Sequence, residues 1–133
     1  DGGCLCGAIT YEAVIDQEKI IVCHCTDCQI NGGGAFRWGT LIGKDDFTLL
    51  SGAPKFFRKL AESGNHRALA FCGDCGTSLY GTQAVESVTL SLRIGTARQA
   101  RDLTPAFQIW HRSAYDWVDH LEAVPAIERQ PEL

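Results

Sequence analysis

The chain has 133 residues, 45% apolar and 21% charged, proportions of one soluble globular domain spanning 1–133, with a core over about 3–117 and an extended tail over 124–133. Its 12 Lys+Arg against 16 Asp+Glu give a net charge of −4 and a pI near 5.5, which argues against DNA or RNA as a partner; binding divalent zinc through seven thiolates would leave the chain more acidic still. Apolar runs are far shorter than the roughly 20 residues that cross a bilayer, so no membrane span is expected.

The first predicted element is a strand over Gly7–Val14, where Ile9, Tyr11 and Ala13 share one face and Thr10 and Glu12 the other. Further strands are predicted at Ile20–Cys23, Ala35–Ile42, Phe47–Leu50, Lys55–Leu60, Arg67–Phe71 and Ser78–Tyr80, separated by turn signals such as Asn31-Gly32-Gly33-Gly34 and Ser51-Gly52-Ala53-Pro54. Val88–Ile94 alternates most clearly: Val88, Leu90, Leu92 and Ile94 lie opposite Thr89, Ser91 and Arg93, a period of two that no amphipathic helix produces. A last strand is predicted at Phe107–Trp110. Helix is confined to a turn after Cys25 and to Ser113–Val118, where Asp116-Trp117 sits on a short helix or a closing strand. Many short strands, 14 glycines and no long 3.6-period stretch give an all-β fold with little helix.

The seven cysteines fall into three clusters: Cys4 and Cys6; Cys23, Cys25 and Cys28; Cys72 and Cys75. The odd count, the C-x-C and C-x-x-C spacings and a start (Asp1-Gly2-Gly3) without a basic or apolar leader point to reduced, metal-bound thiols in the cytoplasm, not a secreted disulfide framework. In an extended strand residues i and i+2 point the same way, so Cys4 and Cys6 can face one ion; paired with Cys72 and Cys75 they close a tetrahedral four-thiolate zinc site of structural type. Cys23, Cys25 and Cys28 remain as three ligands with a fourth position open, the arrangement of catalytic zinc. Two zinc ions per chain are therefore expected. Three thiolates blunt the ion's power to acidify water but suit a fourth thiol, which a metal deprotonates. His24 lies between two ligands and in an extended C-x-C points away from the metal. The spacings fit neither ferredoxin pattern, and no βαβ unit surrounds either C-x-x-C as a redox motif would require.

The segments Gly3-Cys4-Leu5-Cys6-Gly7, Cys23-His24-Cys25-Thr26-Asp27-Cys28-Gln29 and Phe71-Cys72-Gly73-Asp74-Cys75-Gly76, with Pro105–Trp110 and Trp117 near the end, resemble the glutathione-dependent formaldehyde-activating enzyme and centromere protein V family over about Gly3–Trp117. The resemblance implies a β-tent fold of stacked antiparallel sheets, stabilised by zinc. It implies the same division of ligands: Cys4, Cys6, Cys72 and Cys75 structural; Cys23, Cys25 and Cys28 catalytic. It also implies the condensation of glutathione with formaldehyde to S-hydroxymethylglutathione, a carbon–sulfur lyase activity in reverse.

A thiol with glutathione's two carboxylates wants cations near the three-cysteine knuckle, for which Arg37, Arg58, Arg93 and Arg112 are available. Solvated strand-face charges are the ordinary alternative for each. Trp38, Trp110 and Trp117 are core or rim packing, with Trp110 the candidate pocket wall. His111 is a candidate general acid or base, or an exposed strand-end histidine. Asp27 and Gln29, inside the knuckle, are candidates for hydrogen bonds to ligand sulfurs or substrate, although Asp27 can equally brace the turn. The leading function is carbon–sulfur chemistry on a thiol adduct of a small aldehyde. The alternatives are a non-catalytic zinc-stabilised binding or scaffold module and a thiol- or metal-binding protein without turnover.

Overall fold

The computed structural model of the chain describes residues 1–83 and 87–131. Its strands are β1 (Gly2–Gly3), β2 (Thr10–Ala13), β3 (Ile20–Cys23), β4 (Arg37–Gly43), β5 (Phe47–Ser51), β6 (Lys55–Leu60), β7 (His66–Phe71), β8 (Ser78–Gln83), β9 (Thr89–Arg93) and β10 (Phe107–Ile109). One helix, α1 (Thr26–Gly32), follows β3. The remaining helical segments are short 3₁₀ turns, including His111–Ser113 and Asp116–Ala123, which settles the Asp116-Trp117 pair on a helical turn. No helix among the described residues is long and apolar enough to cross a membrane.

The strands form two sheets, β1-β2-β5 and β10-β3-β4-β9-β8-β7-β6. Pairings among the named strands are antiparallel except one: β10 runs parallel to β3, with Phe107 opposite Ile21 and Ile109 opposite Cys23. Parallel pairing needs a long return, which the chain between Cys23 and Phe107 provides. It places the end of β10 beside the second cysteine cluster.

The sheets stack through the apolar face of β9 that the sequence pattern predicts. Leu90 and Leu92 pack with Ile42 of β4 against Tyr11 of β2. Phe47 lies between Tyr11 (5.3 Å) and Tyr80 (5.1 Å) and extends the same layer. Each fully buried large side chain there contributes on the order of 1.5–3 kcal/mol. The period of two then sends the alternate residues, Arg37, Ser91 and Arg93 among them, to the opposite face of the large sheet. That face is the wall of a cavity.

A second core surrounds the first cysteine cluster, where Cys4 and Cys72 pack with Ile9 and Leu79. Residues 124–131 are exposed and carry neither helix nor strand, while the last two of the predicted tail, Glu132 and Leu133, lie outside the described residues.

Candidate functional site

Cys4, Cys6, Cys72 and Cys75 form one group whose sulfurs lie within 4.8 Å of one another, and Cys23, Cys25 and Cys28 form another by the same measure. A thiolate-bound tetrahedral zinc with bonds of about 2.3 Å has sulfur–sulfur edges of about 3.8 Å. The edges here are 3.6 Å for Cys4–Cys6, 3.8 Å for Cys6–Cys72 and 3.7 Å for Cys23–Cys28. Both groups could therefore hold a metal ion, and all seven thiols are free of disulfides.

The first group is built from two tight turns, which corrects the extended geometry expected for Cys4 and Cys6. Gly7 N–H donates to the Cys4 carbonyl (3.1 Å) with Gly7 at φ 82°, and Gly76 N–H donates to the Cys72 carbonyl (2.8 Å) with Gly76 at φ 77°. Glycine is favoured at both because L side chains rarely adopt that conformation. Backbone N–H groups then reach inward: Ile9 N–H donates to Cys4 Sγ at 3.2 Å. Thr77 ties the halves together, its hydroxyl accepting from Leu5 N–H (3.1 Å) and lying 3.1 Å from Cys75 Sγ. That hydroxyl and the Thr77 N–H hold the Cys75 thiol down to about 5. None of the four cysteines lines either of the two principal cavities.

The second group spans a strand end and a helix start. Cys23 ends β3; Cys25 caps α1, its sulfur accepting from Cys28 N–H at 3.4 Å. His24 points away, as alternation predicts. It is fully buried, its Nε2 is 2.6 Å from Gln108 Oε1 on β10, and its ring meets Phe36 and His111 edge-on. Arg37 completes the group: its Nε–H donates to Cys28 Sγ at 3.2 Å and its Nη1 donates to the Ser91 hydroxyl. The hydrogen bond between Cys28 and Cys23 and the Arg37 charge bring the Cys28 thiol down to about 4 against the effect of burial, while the same bond and burial push Cys23 up.

These three sulfurs open into a cavity of about 560 Å³. Although the chain is acidic, five cations line it: Lys19, Arg37, Lys59, Arg67 and Arg93. The two lining carboxylates are already paired, Asp27 with Lys59 at 2.6 Å and Glu62 with Arg112 at 3.4 Å. Burial, and after it Arg37, pull the Arg93 guanidinium down to about 10, so it stays charged at neutral pH. Ile21, Phe107, Ile109 and Trp110 supply apolar wall. Trp110 is the one non-glycine at positive φ (54°) among the described residues, with the Arg112 guanidinium 5.0 Å above its ring.

Of the residues singled out in the sequence, the structure thus brings Asp27, Arg37, Arg93 and Trp110 to the cavity with the three cysteines. It places Gln29 and His111 elsewhere. Gln29 is buried and donates through Nε2 to the Ser113 carbonyl (2.9 Å), bracing α1 against the chain after β10. His111 is exposed, 3.4 Å from Asp119. Arg58 is exposed and does not line the cavity, whereas its neighbour Lys59 does; Trp117 stacks on Tyr115 at the surface. Sequence reasoning missed Lys19, Lys59, Arg67 and Ser91. Strand alternation from Arg93 was the available signal for Ser91.

Three comparisons bear on this arrangement. Residues 1–113 match the model of the glutathione-dependent formaldehyde-activating enzyme family. An uncharacterized lyase of Schizosaccharomyces pombe is 31% identical over 80 residues, which are 60% of this chain and 55% of that protein, so the match spans about half of the relative's length. The crystal structure of a Rhodobacter sphaeroides protein superposes with a TM-score of 0.61 at 18% identity, covering 80% of this chain and 97% of that one, a likeness of fold.

Proposed function

This chain belongs to the glutathione-dependent formaldehyde-activating enzyme family, and we propose that it is a zinc-dependent carbon–sulfur lyase. In this reading it adds a small thiol such as glutathione to a small aldehyde such as formaldehyde, and reverses the same addition. One observation carries the proposal: the two cysteine groups differ in exposure to a cavity. Four sulfurs close on one another and line neither cavity, and three face 560 Å³ of space. The first is a structural zinc site and the second the reactive one.

Cys23, Cys25 and Cys28 would hold a zinc ion whose remaining position accepts and deprotonates a thiol. The chain's own groups do the rest. Arg37 donates to Cys28 and offsets the negative charge of three thiolates, so a further anion can approach. Lys19 and Arg67, farther along the wall, are placed for the carboxylates of the thiol. Ile21, Phe107 and Ile109 give the cavity an apolar wall beside the sulfur.

The test is exchange spectroscopy by NMR on an equilibrium mixture of formaldehyde, glutathione and S-hydroxymethylglutathione. Zinc-loaded protein should accelerate exchange above the spontaneous rate, and Cys25→Ser should abolish the acceleration. An exchange rate that stays at the spontaneous value with zinc-loaded wild type removes the proposal.

A further inference from the structure

The cavity on the three sulfurs is joined by a second, of about 380 Å³, whose wall includes α1 residues Asn31 and Gly32, Trp38 of β4 and Ser78 of β8. Cys28, Arg37 and Arg93 line both. Asp27, Lys59 and Leu69 line both as well, so the junction is a sulfur flanked by two guanidiniums and by the Asp27–Lys59 ion pair.

The two arginines differ in what they have left to give. Arg37 spends Nε on Cys28 and Nη1 on the Ser91 hydroxyl. Arg93 donates Nη1 to the Ser91 carbonyl at 3.1 Å. No carboxylate forms an ion pair with either among the described residues. A guanidinium has five N–H donors, and among the described residues the Ser91 carbonyl is the acceptor that Arg93 meets. The guanidinium lies against β8, where a Cβ on Gly81 would stand in ordinary contact with Arg93 Nη2 at 3.5 Å. The Arg93 side chain is half-buried beside the three sulfurs of the second group, so a further anion can reach donors that its protein contacts leave unused.

We propose that Arg93 is a catalytic residue that donates hydrogen bonds to the aldehyde oxygen as the carbon–sulfur bond forms. The assignment rests on the lyase reading above. In the addition the sulfur lone pair forms the bond to carbon, the carbonyl π pair moves onto oxygen, the thiol proton leaves to solvent, and solvent returns one to oxygen. Negative charge thus develops on an atom bonded to the carbon under attack, within a few ångströms of the sulfur. Donors preset there act only as that charge appears. The other polar groups nearby are engaged: the Ser91 hydroxyl with Arg37, and Asp27 with Lys59. The larger cavity admits the thiol and the smaller one the carbonyl partner.

The experiment compares zinc-loaded wild type, Arg93→Gln and Arg93→Lys, with zinc content and thermal unfolding measured on each. For formaldehyde and glutathione, Arg93→Gln should lower kcat by about a hundredfold or more with little change in the KM for glutathione. Arg93→Lys, which keeps one charged donor, should fall between the two. Wild-type kcat in a folded Arg93→Gln protein, or a loss confined to KM, overturns the assignment and leaves the lyase reading intact. If Arg93→Gln loses zinc or fold, Arg93→Lys decides: a kcat lowered about tenfold supports the role, and an unchanged one overturns it. A wild type that fails to accelerate exchange overturns both.

Discussion

Arg37 Nε stands 3.2 Å from Cys28 Sγ, so a guanidinium on β4 fastens the strand to the sulfur that α1 carries. The same arginine reaches Ser91 on β9. The middle of the large sheet and the reactive cysteine group are thereby held as one unit, and the electrostatics of the group depend on a residue nine positions away in sequence.

In zinc-free protein the Cys23 hydrogen bond and this contact together make Cys28 an acid. Its thiol is held at about 4 in the folded chain, by the Cys23 hydrogen bond and then by Arg37, against an ordinary value near 9. A group whose folded pKa is depressed adds stability that is present above the unfolded value and lost as pH falls through the folded one. Cys23, shifted upward, stays protonated in both states below about 8 and adds no slope there. Zinc-free wild type should therefore lose stability on acidification from about pH 8 to 4 more steeply than zinc-free Arg37→Gln. Denaturant unfolding at several pH values, with thiolate absorbance followed in parallel, checks both the slope and an upward move of the Cys28 titration in the variant.

Gly39 of β4 is required by the close approach of the β9 backbone, with the same arginine beside it. A Cβ there would lie 2.8 Å from Arg37 Nη1 and 2.9 Å from the Leu92 carbonyl. Gly39→Ala should displace the guanidinium, raise the Cys28 thiol and destabilise the zinc-loaded protein by about 1–3 kcal/mol. Urea unfolding of that variant beside wild type measures the cost. A variant as stable as wild type would show that the strand yields without strain.

The two cysteine groups should respond differently to mutation. Cys72 is buried against Cys4, Ile9 and Leu79, so opening its site removes core as well as metal. Cys72→Ser should be insoluble or unfolded, whereas Cys25→Ser, at a half-buried position on the cavity wall, should stay folded and carry about one zinc per chain in place of about two. Elemental analysis and circular dichroism on both proteins settle the contrast. A well-folded Cys72→Ser chain contradicts the structural role.

Much of this site was legible in the sequence because its parts are local. The three cysteines of the second group fall within six residues, and the alternation of β9 already separated Leu90 and Leu92 from Ser91 and Arg93. The closed group was legible as a set but not as a geometry: spacing alone does not distinguish a strand from the Gly7 and Gly76 turns that fold it. What depended on tertiary placement was not legible. Gln29 and His111 sit close in sequence to cavity residues, yet the parallel return of β10 turns one toward Ser113 and the other toward Asp119. Gly39 and Gly81 would count against a strand by propensity. Gly39 is needed because the Leu92 carbonyl and the Arg37 guanidinium lie across the sheet beside it, whereas a Cβ at Gly81 would meet Leu69 Cδ2 at 3.3 Å and the Arg93 guanidinium only at ordinary contact distance.

The central claim is that one cysteine group is closed and the other has room for a substrate sulfur. Titrating the cobalt-substituted protein with glutathione, without aldehyde, tests it most directly, because visible absorption of cobalt reports each thiolate that joins its coordination shell. The account predicts a saturable gain in sulfur-to-cobalt absorption equivalent to one thiol per chain, lost in Cys25→Ser. A spectrum unchanged by glutathione at saturating concentration would contradict it.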